Sequence, residues 1–204
     1  NADDLVIFDD NVHAGITIAG GTNDYGNIYF AQGTSGSDAY RGYIQYGHSA
    51  TSDANYRDMM VFGTATLERV KISGAGNVGI GTAPEHLYSS YRSLEIGRSG
   101  VLSANTSADD FGVGNNFYLD ASGSYKAKDT ETAALLYFDN GHSAFYRAAS
   151  TTADATISWI KAVDIKTDGN VSVEDGNLTF ASGHGIDFSA TGDATGTDTS
   201  ELFD

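Results

Sequence analysis

Gly74-Ala75-Gly76-Asn77-Val78-Gly79 satisfies the G-x-G-x-x-G spacing of a dinucleotide-binding loop. That chemistry needs a helix N-terminus directly after the glycines, to hold a pyrophosphate. Ile80-Gly81-Thr82-Ala83-Pro84 follows instead, and Gly and Pro oppose a helix there. The segment reads as a tight reversal, with Asn77 or a glycine at positive φ. Five histidines, His13, His48, His86, His142 and His184, form no H-x-H or H-E-x-x-H pair, so the spacing of a local zinc site is missing. One axial ring per chain can still bind metal in a threefold assembly; the favoured reading of His48 and His142 is a structural role in turns. Ser182 to Phe188 approaches one calcium-binding nonapeptide, but such sites need stacked copies. Asp168-Gly169-Asn170 and Asp175-Gly176-Asn177 read as hairpin turns. With 27 acidic residues, carboxylate pairs of the glycosidase kind can be drawn anywhere and single out nothing. A G-x-S-x-G elbow is absent. The residues point to a non-enzyme with no cofactor and no metal.

Tyrosines are the remaining chemical resource. Tyr40, Tyr43, Tyr46 and Tyr56 are the leading candidates for a binding surface, and Tyr88, Tyr91, Tyr125 and Tyr146 extend the set. Flat rings stack on sugar C–H faces while their hydroxyls add polar contacts. The alternative is cross-strand packing within a sheet.

The elements that must carry these residues are strands. Leu5–Phe8, Ile16–Ile18, Ile28–Phe30, Tyr43–Tyr46 and Val70–Ile72 alternate or run apolar in the first half. Leu94–Ile96, Phe117–Leu119, Ala162–Ile165 and Val171–Val173 do so in the second. Gly, Asn, Asp and Ser punctuate them, as hairpins require. Thr130 to Asp139 lacks a 3.6-residue stripe and reads as a buried strand. The 204 residues include 25 Gly, one Pro, 12 Tyr and 10 Phe, a balance that favours many short strands. No cysteine is present, which removes disulfides and thiolate chemistry. A net charge of −16 repels phosphate backbones and anionic lipid, so neither nucleic acid nor membrane is an expected partner. No apolar run reaches the roughly 18 residues of a membrane helix. The chain begins at Asn1 and shows no signal peptide, which suggests a processed chain or a piece of a longer one.

Ordered internal matches suggest a duplication. Gly47-His48-Ser49-Ala50 recurs 94 residues on, at Gly141-His142-Ser143-Ala144. Gly76-Asn77-Val78 recurs 93 residues on, at Gly169-Asn170-Val171. Leu5 matches Leu94, and Gly26-Asn27 matches Gly114-Asn115, at separations of 89 and 88. The expected fold is all-β, built of tandem sandwich-like or interleaved modules. The first module takes 1–90, with matches over 4–88. The second takes 91–175, with matches over 93–175. Residues 176–204 begin a further segment or form a linker.

The stretch Glu68-Arg69-Val70-Lys71-Ile72-Ser73-Gly74-Ala75-Gly76-Asn77-Val78-Gly79-Ile80-Gly81-Thr82-Ala83-Pro84 resembles a segment found in bacteriophage tail-fibre and related structural proteins, of the type R-V-x-I-x-x-x-G-N-V-G-I-G-T-x-x-P, with one residue rather than two before the proline. Asp4–Phe8, Arg41–His48, Gly176–Phe180 and Gly185–Ser189 resemble other parts of such proteins. The resemblance implies a virion fibre, a homotrimer that contacts other virion proteins and a glycan or protein receptor on the host surface. Buried apolar positions would then include Ile16, Ile28, Ile44, Ile72, Ile80, Leu94 and Ile165, some facing their symmetry mates. A head fibre or capsid decoration protein is the nearest alternative. A glycan-degrading tail spike or a carbohydrate-binding protein is the alternative from another class.

Overall fold

The computed structural model describes residues 15–182 and 184. The expected strand Leu5–Phe8, His13 and Gly185–Phe188 lie outside them.

The chain is mostly β, and among the described residues the only helices are two 3-10 segments, Gly36–Tyr40 and Ala54–Tyr56. The strands are β1 (Tyr25–Phe30), β2 (Gly42–Gly47), β3 (Met59–Thr64), β4 (Leu67–Ile72), β5 (Val78–Ile80), β6 (Tyr91–Ile96) and β7 (Gly100–Asn105). There follow β8 (Phe111–Asn115), β9 (Tyr118–Leu119), β10 (Tyr125–Lys126), β11 (Ala133–Asp139), β12 (His142–Ala148), β13 (Ile160–Ile165) and β14 (Val171–Val173). Twelve of them make one sheet in the order β1-β2-β3-β4-β5-β6-β7-β8-β11-β12-β13-β14. The remaining two, β9 and β10, form a small hairpin inserted between β8 and β11.

Every pairing in the large sheet is antiparallel except β5 with β6. In place of two comparable sheets the chain has one large mixed sheet and a two-stranded hairpin. The physical reason lies in the connections. Most strands are joined by short turns, which lay each strand beside the one before it, so only β9 and β10 leave the large sheet. Of the runs expected to be strands, Ile16–Ile18 is not one: it has no ladder and Ile16 is 64% exposed. Thr130–Asp139 does contain a strand, β11.

The G-N-V-G-I-G-T run explains the single parallel step. Gly76 has φ +86 and its N–H donates to Ser73 O at 2.8 Å, closing the β4–β5 turn. Asn77 is buried: its Nδ2 donates to His86 O at 2.7 Å, and its Oδ1 accepts from Ser93 N at 3.0 Å. It thus ties the crossing segment 81–90 to both β5 and β6. A Cβ on Gly79 would stand 2.3 Å from Thr82 O, so only glycine lets the chain fold back this closely. The phosphate-loop reading has no helix to rest on, since a strand, β5, starts at Val78.

Two parts of the sheet share a local plan. β4 and β5 pair as Val70↔Ile80, Lys71↔Gly79 and Ile72↔Val78. β13 and β14 pair as Val163↔Val173, Asp164↔Ser172 and Ile165↔Val171, each residue 93 later. The β3–β4 ladder shifts at Phe62/Gly63 and the β12–β13 ladder at Phe145/Tyr146, so a bulge falls at the same step of both. The Gly-His-Ser-Ala matches do not coincide. Gly47 ends β2 opposite Met59, with an irregular loop following, whereas Gly141 sits in the two-residue β11–β12 turn at φ +80. His48 accordingly lies in a loop and His142 starts a strand.

The main core lies on one face of the second half. Val101, Ala133, Leu135 and Ala148 project from the sheet onto Phe117, Ala127 and Ile157, with Tyr125, Tyr137, Tyr146 and Trp159 packed around them. The covering layer is the β9–β10 hairpin and the segment before β13, bridged by Lys126↔Thr156.

Candidate functional site

Directly opposed residues on neighbouring strands share a face, so the register traces each face across the sheet. One row runs Tyr46–Met60–Ile72–Val78–Leu94–Leu102–Val113–Leu136–Phe145–Val163–Val173, from β2 to β14. A second row, two residues along each strand, runs Ile28–Ile44–Phe62–Val70–Ile80–Ile96. A third joins Phe111, Phe138, Ser143, Ile165 and Val171. No carboxylate appears in these rows. Arg92 and Arg147 stand at the margins of this face.

This apolar face is the open one. Ile28, Phe62, Ile80, Ile96, Phe138, Phe145 and Val173 are each 37–47% exposed. Six residues expected in the interior, Ile28, Ile44, Ile72, Ile80, Leu94 and Ile165, all fall on it. None of them is buried within one chain.

The opposite face is more polar and yet largely covered. In Leu94-Glu95-Ile96 the alternation places the two aliphatic residues inside and the carboxylate outside. The structure inverts this: Glu95 is 0% exposed and Ile96 47%. Glu95 is neutralised by design of the fold. Its carboxylate accepts from Glu85 N at 2.8 Å, His86 N at 3.2 Å and Ser93 Oγ at 3.0 Å. The buried Lys128 ammonium donates to its other oxygen, and His86 Nδ1 lies 3.4 Å away. Burial pushes the Glu95 pKa up, but His86, Lys128 and the Glu85 N–H outweigh it and hold the group at about 2. This fully enclosed cluster fastens the crossing segment and the residue-128 loop to β6. It is shut off from solvent, so it has the chemistry of a clamp.

The four candidate tyrosines are split between the two faces. Tyr43 stands on the more polar face, beside Gly63, where an added Cβ would lie 2.1 Å from its ring. Tyr29 is its direct partner across β1–β2, and Tyr40 packs 6.3 Å from Tyr29. Tyr56 lies edge-on to Tyr25 at 6.0 Å, and its hydroxyl donates to Glu68. That bond, with burial, pushes the Tyr56 pKa up. Lys71 sits 4.9 Å above the Tyr56 ring and 2.7 Å from Glu68. Tyr46 is three residues from Tyr43 and so faces the apolar side, where its hydroxyl donates to Asp58 at 3.1 Å. The tyrosine patch is thus Tyr25, Tyr29, Tyr40, Tyr43 and Tyr56, at 52% and 43% exposure for Tyr29 and Tyr40. Tyr25 and Tyr29 are additions; their spacing of four along one strand is the signal that puts them on one face.

The histidines stand apart. His48 packs edge-on to Tyr46, His86 beside Glu95, and His142 beside Asp164. Among the described residues no three His, Asp or Glu side chains gather as a metal site, and no helix is long and apolar enough to cross a membrane. No protein-family model matches the chain, and none of the curated proteins compared matches it.

Proposed function

We propose that this chain is a structural subunit of a virion fibre, a phage tail fibre or receptor-binding protein that acts as a homotrimer without catalysis. The observation that carries the reading is the apolar face, left uncovered over the width of a twelve-strand sheet. A lone soluble chain rarely leaves so wide an apolar patch in water. Modules in series with neighbour-only contacts suit a shaft or platform, whose stability accumulates along its length. The likeness of Glu68–Pro84 to tail-fibre segments supports the same class. The two halves are read as copies of one module, on the shared hairpin register and bulge.

In this reading the tyrosine patch on β1, β2 and the two 3-10 segments meets a host glycan or protein. Three copies on one particle multiply a weak contact through effective concentration. The test is an antibody against this chain, imaged on particles by electron microscopy. Label on a fibre or spike is expected. Label confined to the capsid shell would favour a decoration protein, and shortening of host polysaccharide by the purified chain would replace the reading with an enzyme.

A further inference from the structure

We infer that the open apolar face is the self-association interface, packed against the same face of the other copies of this chain around their common axis. This deepens the fibre reading by assigning the surface through which copies meet. It also stands without that reading, since it rests on the register and exposure of the sheet alone.

Size is the first argument. Twelve strands spaced about 4.8 Å apart span roughly 50 Å, and the central row, with a half-length row beside it in each half of the sheet, covers about 15 Å along the strands. The face is therefore on the order of 800 Å² per copy, the amount a standard stable interface buries on each partner. Charge is the second argument. The chain carries −16 overall, so two copies repel unless their carboxylates stay apart. The three rows hold no carboxylate, and Glu95, Asp164 and Glu68 all lie on the opposite face. The two carboxylates that border the apolar side are each engaged, Asp58 by the Tyr46 hydroxyl and Asp175 by Arg147. Two apolar faces can thus meet along these rows without bringing unpartnered carboxylates into direct opposition. An anionic bilayer, the other apolar partner of such a surface, is repelled by the same net charge.

Chemistry along the face is the third argument. Its central row stays aliphatic or aromatic from Met60 to Val173, through both halves of the sheet. A small partner would need only part of it. A surface as wide as the chain itself is matched by another copy of the chain. The segments 1–14 and 185–204 hold too few large apolar residues, chiefly Leu5–Phe8, Ile186, Phe188, Leu202 and Phe203, to cover it.

The absence of native cysteine makes a clean test. Single variants Leu102→Cys and Val113→Cys, at the centre of the face, are compared with Ser122→Cys in the β9–β10 turn of the covering layer. Each is spin-labelled in the full-length protein, and distances between copies are measured. Short distances from the first two and long ones from the third are expected. A second pair of variants, Leu102→Asp and Val113→Asp, should raise the dissociation constant at least tenfold, read by sedimentation, with the circular dichroism of the sheet retained. A wild-type oligomer whose Leu102 and Val113 labels lie far apart overturns this interface while leaving a fibre subunit possible. A wild-type monomer at high micromolar concentration overturns both.

Discussion

Asn77 and Asn170 stand at the same step of two hairpins, and only Asn77 is buried. Each backbone carbonyl accepts the N–H four residues before it, from Ser73 and Lys166, at 2.9 Å. Asn77 then reaches inward to His86 and Ser93, whereas Asn170 turns out to Asp168. Asn77→Ala should cost about 2–3 kcal/mol, because two buried backbone groups lose their partners. Asn170→Ala should cost less than about 1 kcal/mol. Urea unfolding of the two variants checks the difference.

Gly79→Ala tests the close approach in the same run. Its Cβ would meet Thr82 O at 2.3 Å, and the crossing segment has to move. A loss of about 2 kcal/mol or more is expected, within the range of strained core substitutions. Gly81 is at φ +69 with open space around it, so Gly81→Ala should cost only about 1 kcal/mol.

Lys128→Met leaves the Glu95 carboxylate buried without its cation. A loss of about 3–5 kcal/mol is expected, the usual result of breaking a buried ion pair. Glu95→Gln with Lys128→Met should recover part of it. Thermal melts of the single and double variants give the coupling.

Acid should unfold the protein through the same cluster. Glu95 ionises at about 2 in the fold, against 4.5 ordinarily. A depressed carboxylate stabilises the fold fully above its unfolded pKa, and that contribution fades as pH falls from about 4.5 toward 2. The linkage is worth about 3 kcal/mol. Glu95→Gln should flatten this part of the stability–pH profile.

If the tyrosine patch meets the host as proposed, attachment depends on which face a tyrosine occupies. Tyr29→Ala with Tyr40→Ala should weaken attachment to host cells or extracted surface glycan about tenfold, roughly one kcal/mol or a little more. Tyr46→Ala, on the other face, should leave it unchanged at matched oligomeric state, checked by sedimentation. Titration of labelled protein onto host cells measures both.

Strand existence was legible in the residues, since Tyr43–Tyr46, Val70–Ile72 and Ala162–Ile165 alternate as strands do. The layer arrangement was not, because alternation distinguishes two faces without saying what covers either. Leu94-Glu95-Ile96 shows why. The partner of Glu95 is Lys128, 33 residues away, and no local pattern links them. Ile16–Ile18 alternates equally well but has no ladder partner. The Gly-His-Ser-Ala match misled because identical letters flank loops of different length. Tyr40, Tyr43, Tyr46 and Tyr56 were identifiable by type; only the register separates Tyr46 from the others.

The nearly sequential strand order of the large sheet has a consequence for how the chain folds. Contacts between strands near in sequence close small loops and form early, so low contact order favours fast folding. During synthesis β1 to β5 can zip as they emerge, and the longest wait is for β11 to reach β8 around the β9–β10 insertion. A complete sheet can therefore exist before any second chain is met. Refolding should then begin with a phase whose rate ignores protein concentration and end with one that follows it. Between the two phases a single chain carries its widest apolar surface into water, and that interval is when aggregation competes with assembly.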